Sequence, residues 1–338
     1  MNLFVRTWYR DMWGWPVVAA ALLPLAGMFA LVSGLRRFAY RAGWLPVHTL
    51  PVPVIVVGNL TVGGTGKTPL VVWLAQALIR HGFAPGILSR GYGVDASCPV
   101  EVAPASTPDQ VGDEPLLLAR ASRCPVWIGA DRAEAGRRLL AAHPSCNVLI
   151  ADDGLQHYRL ARQTEIAVVD EGRGYGNALP LPAGPMREPL ARLERVHAVV
   201  IHGAAEEVPN RALAGGRPSF AMALIGTRLR NLADPARVDD LAHLHGRRVH
   251  AVAGIGNPQR FFDHLARHGV AVTPHPFPDH YPYRAEDLDF GDHAAILMTE
   301  KDAVKCQPFS RNHWWVLEVD AHLEPGLDNL IVARLKRS

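Results

Sequence analysis

The sequence predicts an α/β chain: a doubly wound parallel sheet, a second, smaller α/β lobe, and an N-terminal apolar helix that associates with a membrane. Three observations predict this. Apolar runs near 54–58, 85–89, 147–152, 165–170 and 197–201 alternate with helical stretches, the habit of parallel sheets. A glycine-rich loop stands between the first run and an apolar helix. No residue from Met12 to Leu35 is charged. A length of 338 residues suggests about two domains at roughly 150 residues each and a core that needs no disulfides. The expected units are residues 1–50, a membrane-docking segment, 51–215, the larger lobe, and 216–338, the smaller one, with a composition shift at 203–218.

Composition excludes several classes. Net charge is +3, and residues 1–52 hold five arginines against Asp11 alone, so the body is near neutral. A nucleic-acid binder would need a basic face along the fold, so no nucleic-acid partner is expected. Cys98, Cys124, Cys146 and Cys306 form no CxxC pair and read as free thiols in a reducing compartment. Among 16 histidines none has ligand spacing with carboxylates or cysteines, and His243-Leu-His245 alone is too weak to predict a metal centre.

The segment from Met12 to Leu35 is long enough to cross a bilayer. Pro16, Pro24, Gly14, Gly27 and Gly34 weaken a simple span, and Ser33-Gly34-Leu35-Arg36-Arg37 is a poor signal-peptide cleavage site. The favoured reading is an interfacial helix, with Trp8, Trp13, Trp15 and Trp44 at headgroup depth and the arginines on anionic lipid. A true span and a buried core helix stay open as alternatives.

Val54-Ile55-Val56-Val57 reads as a strand buried on both faces. Thr61-Val62-Gly63-Gly64-Thr65-Gly66-Lys67-Thr68 follows, then an apolar helix that runs to Arg80 and stops at His81-Gly82. Strand, glycine loop with Gly-Lys-Thr, and helix are the context of a phosphate-binding loop, which makes the sheet P-loop NTPase-like. Lys67 is expected to bridge the β- and γ-phosphates and Thr68 to bind Mg²⁺. Thr61 stands where the strict pattern has glycine, and no lysine precedes Lys67, unlike the loops of partitioning-type ATPases. The run 147–154 is expected to bring Asp152 and Asp153 beside the loop for Mg²⁺. In a regular strand at most one of them faces the metal, and spacing does not choose between them. Thr299-Glu300-Lys301-Asp302 has the composition of a guanine-reading motif in the wrong order, so ATP is expected rather than GTP.

In the second lobe, strands are expected near 249–253, 271–275, 294–299 and 314–319, with a helix over 259–268. Gly254-Ile-Gly256 lacks a third spaced glycine and reads as a tight turn.

These residues resemble a known family, the tetraacyldisaccharide 4'-kinases (lipid A 4'-kinases) of Gram-negative bacteria. The matching stretches are Val57-GNLTVGGTGKTP-Leu70, Ser89-Arg-Gly-Tyr-Gly93, Gly112-Asp-Glu-Pro115, Gly129-Ala-Asp-Arg132, Ala151-DDGLQH-Tyr158, Pro182-AGPMREP-Leu190, Phe277-Pro-Asp-His-Tyr281 and Met298-TEKDAVK-Cys306. Thr61 in place of the first glycine is itself what this family shows. The resemblance implies transfer of the ATP γ-phosphate to the 4'-hydroxyl of a tetraacyl glucosamine disaccharide 1-phosphate, giving lipid IV-A. It implies a monomer-sized enzyme of two lobes on the cytoplasmic face of the inner membrane.

It also implies that Asp113 is the catalytic base and that a histidine, best matched by His280, assists it. Helix capping is the alternative for Asp113, and a plain loop residue for His280. If both act, closure of the two lobes assembles the pair. Arg187 and Glu188 end a long Gly/Pro-rich stretch. Arg187 suits a phosphate, and Glu188 a sugar hydroxyl or a metal-bound water, with a surface ion pair as the alternative. Arg90 and Tyr92 follow a strand's carboxyl end and are candidates for substrate contact. A membrane-docked P-loop switch ATPase acting on a protein partner is the competing function.

Overall fold

The computed structural model of the chain describes residues 8–9, 15–91, 93–94, 98–203 and 209–337. Two sheets organise it. The first contains β1 (Val54–Gly58), β2 (Pro85–Ser89), β3 (Val100–Glu101), β4 (Val126–Ile128), β5 (Val148–Asp152), β6 (Thr164–Asp170), β7 (Ala198–His202), β8 (Ser219–Ile225) and β15 (Asp320–Leu323), in the order β15-β8-β7-β6-β1-β5-β2-β4-β3. All neighbours are parallel except the two edge strands, β3 and β15. The second contains β9 (Arg228–Asn231), β10 (Val238–Asp240), β11 (Arg248–Ala253), β12 (Ala271–Pro276), β13 (Ala295–Thr299) and β14 (Trp314–Leu317), ordered β10-β9-β14-β13-β11-β12.

The apolar runs form strands because helices cover both faces. Along β1, Ile55 and Val57 belong to one core while Val54 and Val56 belong to the other. This is the side-to-side alternation of a pleated strand inside a three-layer stack. The helices around this sheet are α2 (Lys67–Arg80), α3 (Pro108–Val111), α4 (Asp113–Ser122) and α5 (Arg132–Ala142). Asp131 caps α5 by accepting from the Ala133 and Glu134 amides. In the second sheet Val249, Ala251 and Ala253 face one core and Val252 the other.

The sheets do not part at the expected boundary of 215/216. β8 lies beyond it and pairs with β7, and β15 returns to pair with β8. The last helix, α8 (Leu327–Leu335), puts Leu327, Ile331 and Leu335 into the first core. The chain crosses to the second sheet at Gly226–Thr227 and returns at Glu318–Val319. The second lobe adds α6 (Pro258–Arg267) and α7 (Glu300–Cys306), and α7 packs on α4, with Val304 entering the first core.

The N-terminal helix, α1 (Trp15–Arg41), continues through Pro24 and both interior glycines. It is long and apolar enough to cross a membrane. Val17, Leu23, Leu25, Met28, Leu31, Val32, Leu35 and Phe38 are exposed, and among its described side chains only Ala19 and Ala26 are buried, which overturns the buried-core alternative. Its last turns are tied down: Arg37 donates to Glu188, and Tyr40 lies against Tyr158. Trp8 is not free for headgroups, because its indole donates to the Pro182 carbonyl. Trp13, and the side chain of Trp15, lie outside the described residues.

Candidate active site

The loop Thr61–Thr68 leaves the carboxyl end of β1 and opens α2. Gly66 turns the chain with a left-handed φ of 89°, and a Cβ there would meet the His202 ring at 2.5 Å, so glycine is required twice over. Thr61 is bridged to Met186 and the Val62 amide donates to Pro185 O, so the loop's first half is held by the long Gly/Pro stretch. Gly63 and Gly64 are exposed, Thr65 is buried, and Thr68 is the second residue of α2. Buried Asn59 spans the loop, donating to Gly63 O and accepting from Lys67 Nζ at 3.3 Å.

Asp152 ends β5 and Asp153 follows it in the turn beside Lys67. The strand does not stay regular: Asp153 has a φ of +47°. Its carboxylate lies 3.5 Å from Lys67 Nζ and accepts from Arg187 Nη1 at 3.0 and 2.9 Å. Burial works to raise its pKa, yet Lys67 and Arg187 together hold it at about 2. Asp152 is treated differently. It is buried, Ser89 Oγ donates to its Oδ2 at 3.3 Å, and its Oδ1 is buried with no partner. Burial, then the Glu114 charge, push it up to about 7. A buried oxygen aimed at nothing, beside a phosphate loop, fits a divalent cation's ligand.

Asp113 is the first residue of α4 and accepts from the Glu114 amide, but the N-cap position is Gly112 and no side chain caps the helix, so capping is not the role of Asp113. It also meets His280 across the lobes: His280 Nδ1 lies 3.1 Å from both Asp113 carboxylate oxygens. His280 itself sits in a left-handed backbone, φ 61°. The hydrogen bond to Asp113 raises the His280 pKa. Asp113 is held below the ordinary carboxylate value: burial opposes this, but His280 and Lys301 outweigh it. Lys301 Nζ ties this pair down, 2.8 Å from both Glu114 and Asp279. Glu114 in turn acts on Asp152, so the start of α4 joins the Asp113–His280 pair to the end of β5.

Arg90 is exposed just beyond β2, where its charge reaches Arg132. Tyr92 lies outside the described residues. Glu188 is buried and taken up by Arg192 and Arg37, at 3.2 and 3.4 Å, and so holds α1 to the larger lobe. That is an ion pair as in its alternative reading, but a buried one. Sequence reasoning missed Asn59, Arg132, Lys301 and Lys305. Arg132 is buried, and its pKa is lowered by burial to about 10 although Asp152 and Asp153 act to raise it. Lys305 approaches Asp113 at 4.0 Å and Asp302 at 3.1 Å. Gly129–Arg132 and the TEKDAVK run carried the signal, but no spacing rule assigns such residues a role. Asp302 is fully buried and accepts from the Gly254 amide, Thr299 and Tyr283, which occupies the would-be guanine-reading acid with structural bonds.

A glycine loop feeding a helix on a parallel sheet, with an acidic strand end against its lysine, defines a P-loop NTPase-like protein. The profile of the Tetraacyldisaccharide-1-P 4'-kinase family matches residues 18–336. The chain belongs to that family. It is 52% identical over 318 residues to the tetraacyldisaccharide 4'-kinase of Azoarcus sp., covering 94% of this chain and 92% of that one. It is 47% identical to that of Nitrosococcus oceani, covering 100% and 95%. Its fold is similar to that of LpxK from Aquifex aeolicus in complex with ATP, with TM-score 0.78, 30% identity, and coverage of 94% of this chain and 99% of that chain.

Proposed function

We propose that this chain is an ATP-dependent kinase that phosphorylates the 4'-hydroxyl of a tetraacyl glucosamine disaccharide 1-phosphate, giving lipid IV-A. The loop Thr61–Gly66, anchored at Thr61 and Val62 by the Gly/Pro stretch, turns the backbone amides of Gly63, Gly64, Thr65 and Gly66, with the start of α2, to cradle the ATP phosphates. Lys67 leaves its 3.5 Å contact with Asp153 to follow the β- and γ-phosphates. Thr68 and the free Oδ1 of Asp152 would hold Mg²⁺, while Asp153 keeps Arg187 in place. Bound Mg²⁺ neutralises charge on the β- and γ-phosphates. The 4'-oxygen forms the new bond to Pγ, the bridging oxygen keeps the electrons of the broken bond and leaves with ADP, and the hydroxyl proton passes to Asp113. His280 orients Asp113 and is a second acceptor at the same site. Arg187, Arg90 and Tyr92 contact the substrate.

The observation that carries this reading is the Asp113–His280 contact across the lobes, next to Glu114, whose charge acts on Asp152 at the end of β5. Membrane docking by the exposed face of α1 on the cytoplasmic side of the inner membrane places the site beside the substrate's acyl chains. One chain supplies both lobes, in keeping with a monomer.

The test is incubation of purified protein with Mg-ATP and the tetraacyl disaccharide 1-phosphate in detergent, with mass spectrometry of the lipid. A gain of one phosphoryl group, lost in Asp113→Ala, is expected. Unmodified lipid, with ATP hydrolysed equally with and without it, would overturn the reading in favour of a switch ATPase.

A further inference from the structure

A second set of contacts joins the lobes, on the opposite flank of the phosphate loop from Asp113. Arg260, in the first turn of α6, puts Nη1 3.0 Å from Asp170 Oδ2. The same nitrogen lies 2.9 and 3.0 Å from the two ring nitrogens of His202. Asp170 and His202 are the buried last residues of β6 and β7. His202 Nδ1 lies 3.1 Å from the carbonyl of Thr65, inside the phosphate loop. The tautomer protonated on Nδ1 links both neighbours: Nδ1–H donates to Thr65 O and Nε2 accepts from Arg260 Nη1 at 3.0 Å. Burial first, then the Arg260 charge, hold His202 down to about 4, so the ring is neutral near pH 7.

A return link crosses beside it. Arg173, whose amide donates to Asp170, reaches Gly256 O of the small lobe at 2.5 Å. Gly256 lies so close to the loop that a Cβ there would stand 2.6 Å from Gly64 N. Asp170 therefore organises two arginines that cross the lobe interface in opposite directions.

We propose that Arg260 is a positioning residue that, through Asp170 and His202, seats the small lobe on the backbone of the phosphate loop and thereby couples the hold on ATP to the alignment of His280 with Asp113. This rests on the kinase reading above. It differs from mere adhesion between lobes because the last link ends on the loop itself, at Thr65 O.

The test uses the full chain, with steady-state kinetics on Mg-ATP and the tetraacyl disaccharide 1-phosphate, calorimetry of ATP binding without lipid, and thermal unfolding. Arg260→Met is expected to raise both KM and Kd for ATP roughly tenfold and to lower kcat, leaving the KM for lipid unchanged. Arg260→Lys, which keeps the charge without the fork, falls between. His202→Asn keeps a donor for Thr65 O but loses Arg260, and is expected to resemble Arg260→Met. The Arg260→Met/Asp170→Asn double variant is expected to be no worse than the poorer single, as coupled residues require. The proposal is overturned if Arg260→Met leaves KM, Kd and kcat within about twofold of wild type while lowering Tm, or if the two losses multiply. A wild type that leaves the lipid unmodified would instead sink the kinase reading, and the calorimetric arm would still decide the latch.

Discussion

Asp152 and Asp153 are adjacent, yet one is driven to about 7 and the other to about 2. Burial acts to raise both; the left-handed turn at Asp153 points that carboxylate at Lys67 and Arg187, which outweigh it, whereas at Asp152 burial and the Glu114 charge prevail. In metal-free protein Asp152 has a folded pKa above its unfolded value, so it stabilises the fold at low pH and loses this as pH rises towards about 7. Metal-free wild type should therefore lose Tm between about pH 4 and 7 relative to Asp152→Asn and level off above that, and Mg²⁺ should restore it in wild type alone. Mg²⁺ affinity should tighten as pH rises through the same range, and Asp152→Asn should abolish that dependence. The Asp113–His280 pair titrates at both ends of the range. His280 is raised, so its share is present below about 6.5 and lost above its folded value; Asp113 is lowered, so its share is lost as pH falls below about 3.8. The Tm difference between wild type and His280→Ala should peak between those limits and shrink by pH 8. In activity, Asp113→Asn should cost about 10²–10⁴ in kcat.

At the scale of elements, the loop and α1 carry the clearest tests. Gly66→Ala places a Cβ 2.5 Å from His202 at a positive φ, and should abolish ATP binding in a protein that still folds, read by calorimetry and circular dichroism. The ion pair and ring contact that tie α1 to the larger lobe come from its last turns, and most of its large apolar side chains are exposed. Replacing Leu31, Leu35 and Phe38 together with serine should cut partition onto anionic vesicles by about tenfold or more, given about 1.5–3 kcal/mol for full burial of each side chain. KM for ATP should not move. A partition equal to wild type would remove α1 from membrane docking.

For the whole molecule, the return of the chain matters most. β15 and α8 complete the first sheet and core from the far end of the sequence. Removing residues 320–338 strips Leu327, Ile331 and Leu335 from that core, and should leave a protein without a cooperative thermal transition. An intact second lobe that melts as before in that truncation would show that the lobes fold independently.

The strands β1, β5 and β6, the loop Thr61–Thr68 and α2 were legible because each is set by a local pattern: an apolar run, glycines that free the backbone, and a helix with a stop signal. The motif set and its order were enough to identify the family. Other features depend on residues far apart in sequence. β8 and β15 are half-exposed and join the first sheet only by pairing across the lobe boundary. Glu188 reads like a binding-loop acid until Arg37 and Arg192 are brought to it. Asp152 and Asp153 have identical chemistry until one φ separates them, and Arg260 meets Asp170 and His202 only through the docking of α6. Local sequence thus decided what the chain binds with, because backbone freedom and side-chain type act over a few residues. Tertiary structure decided how those groups are charged and joined, because burial and Coulomb partners come from elsewhere in the chain.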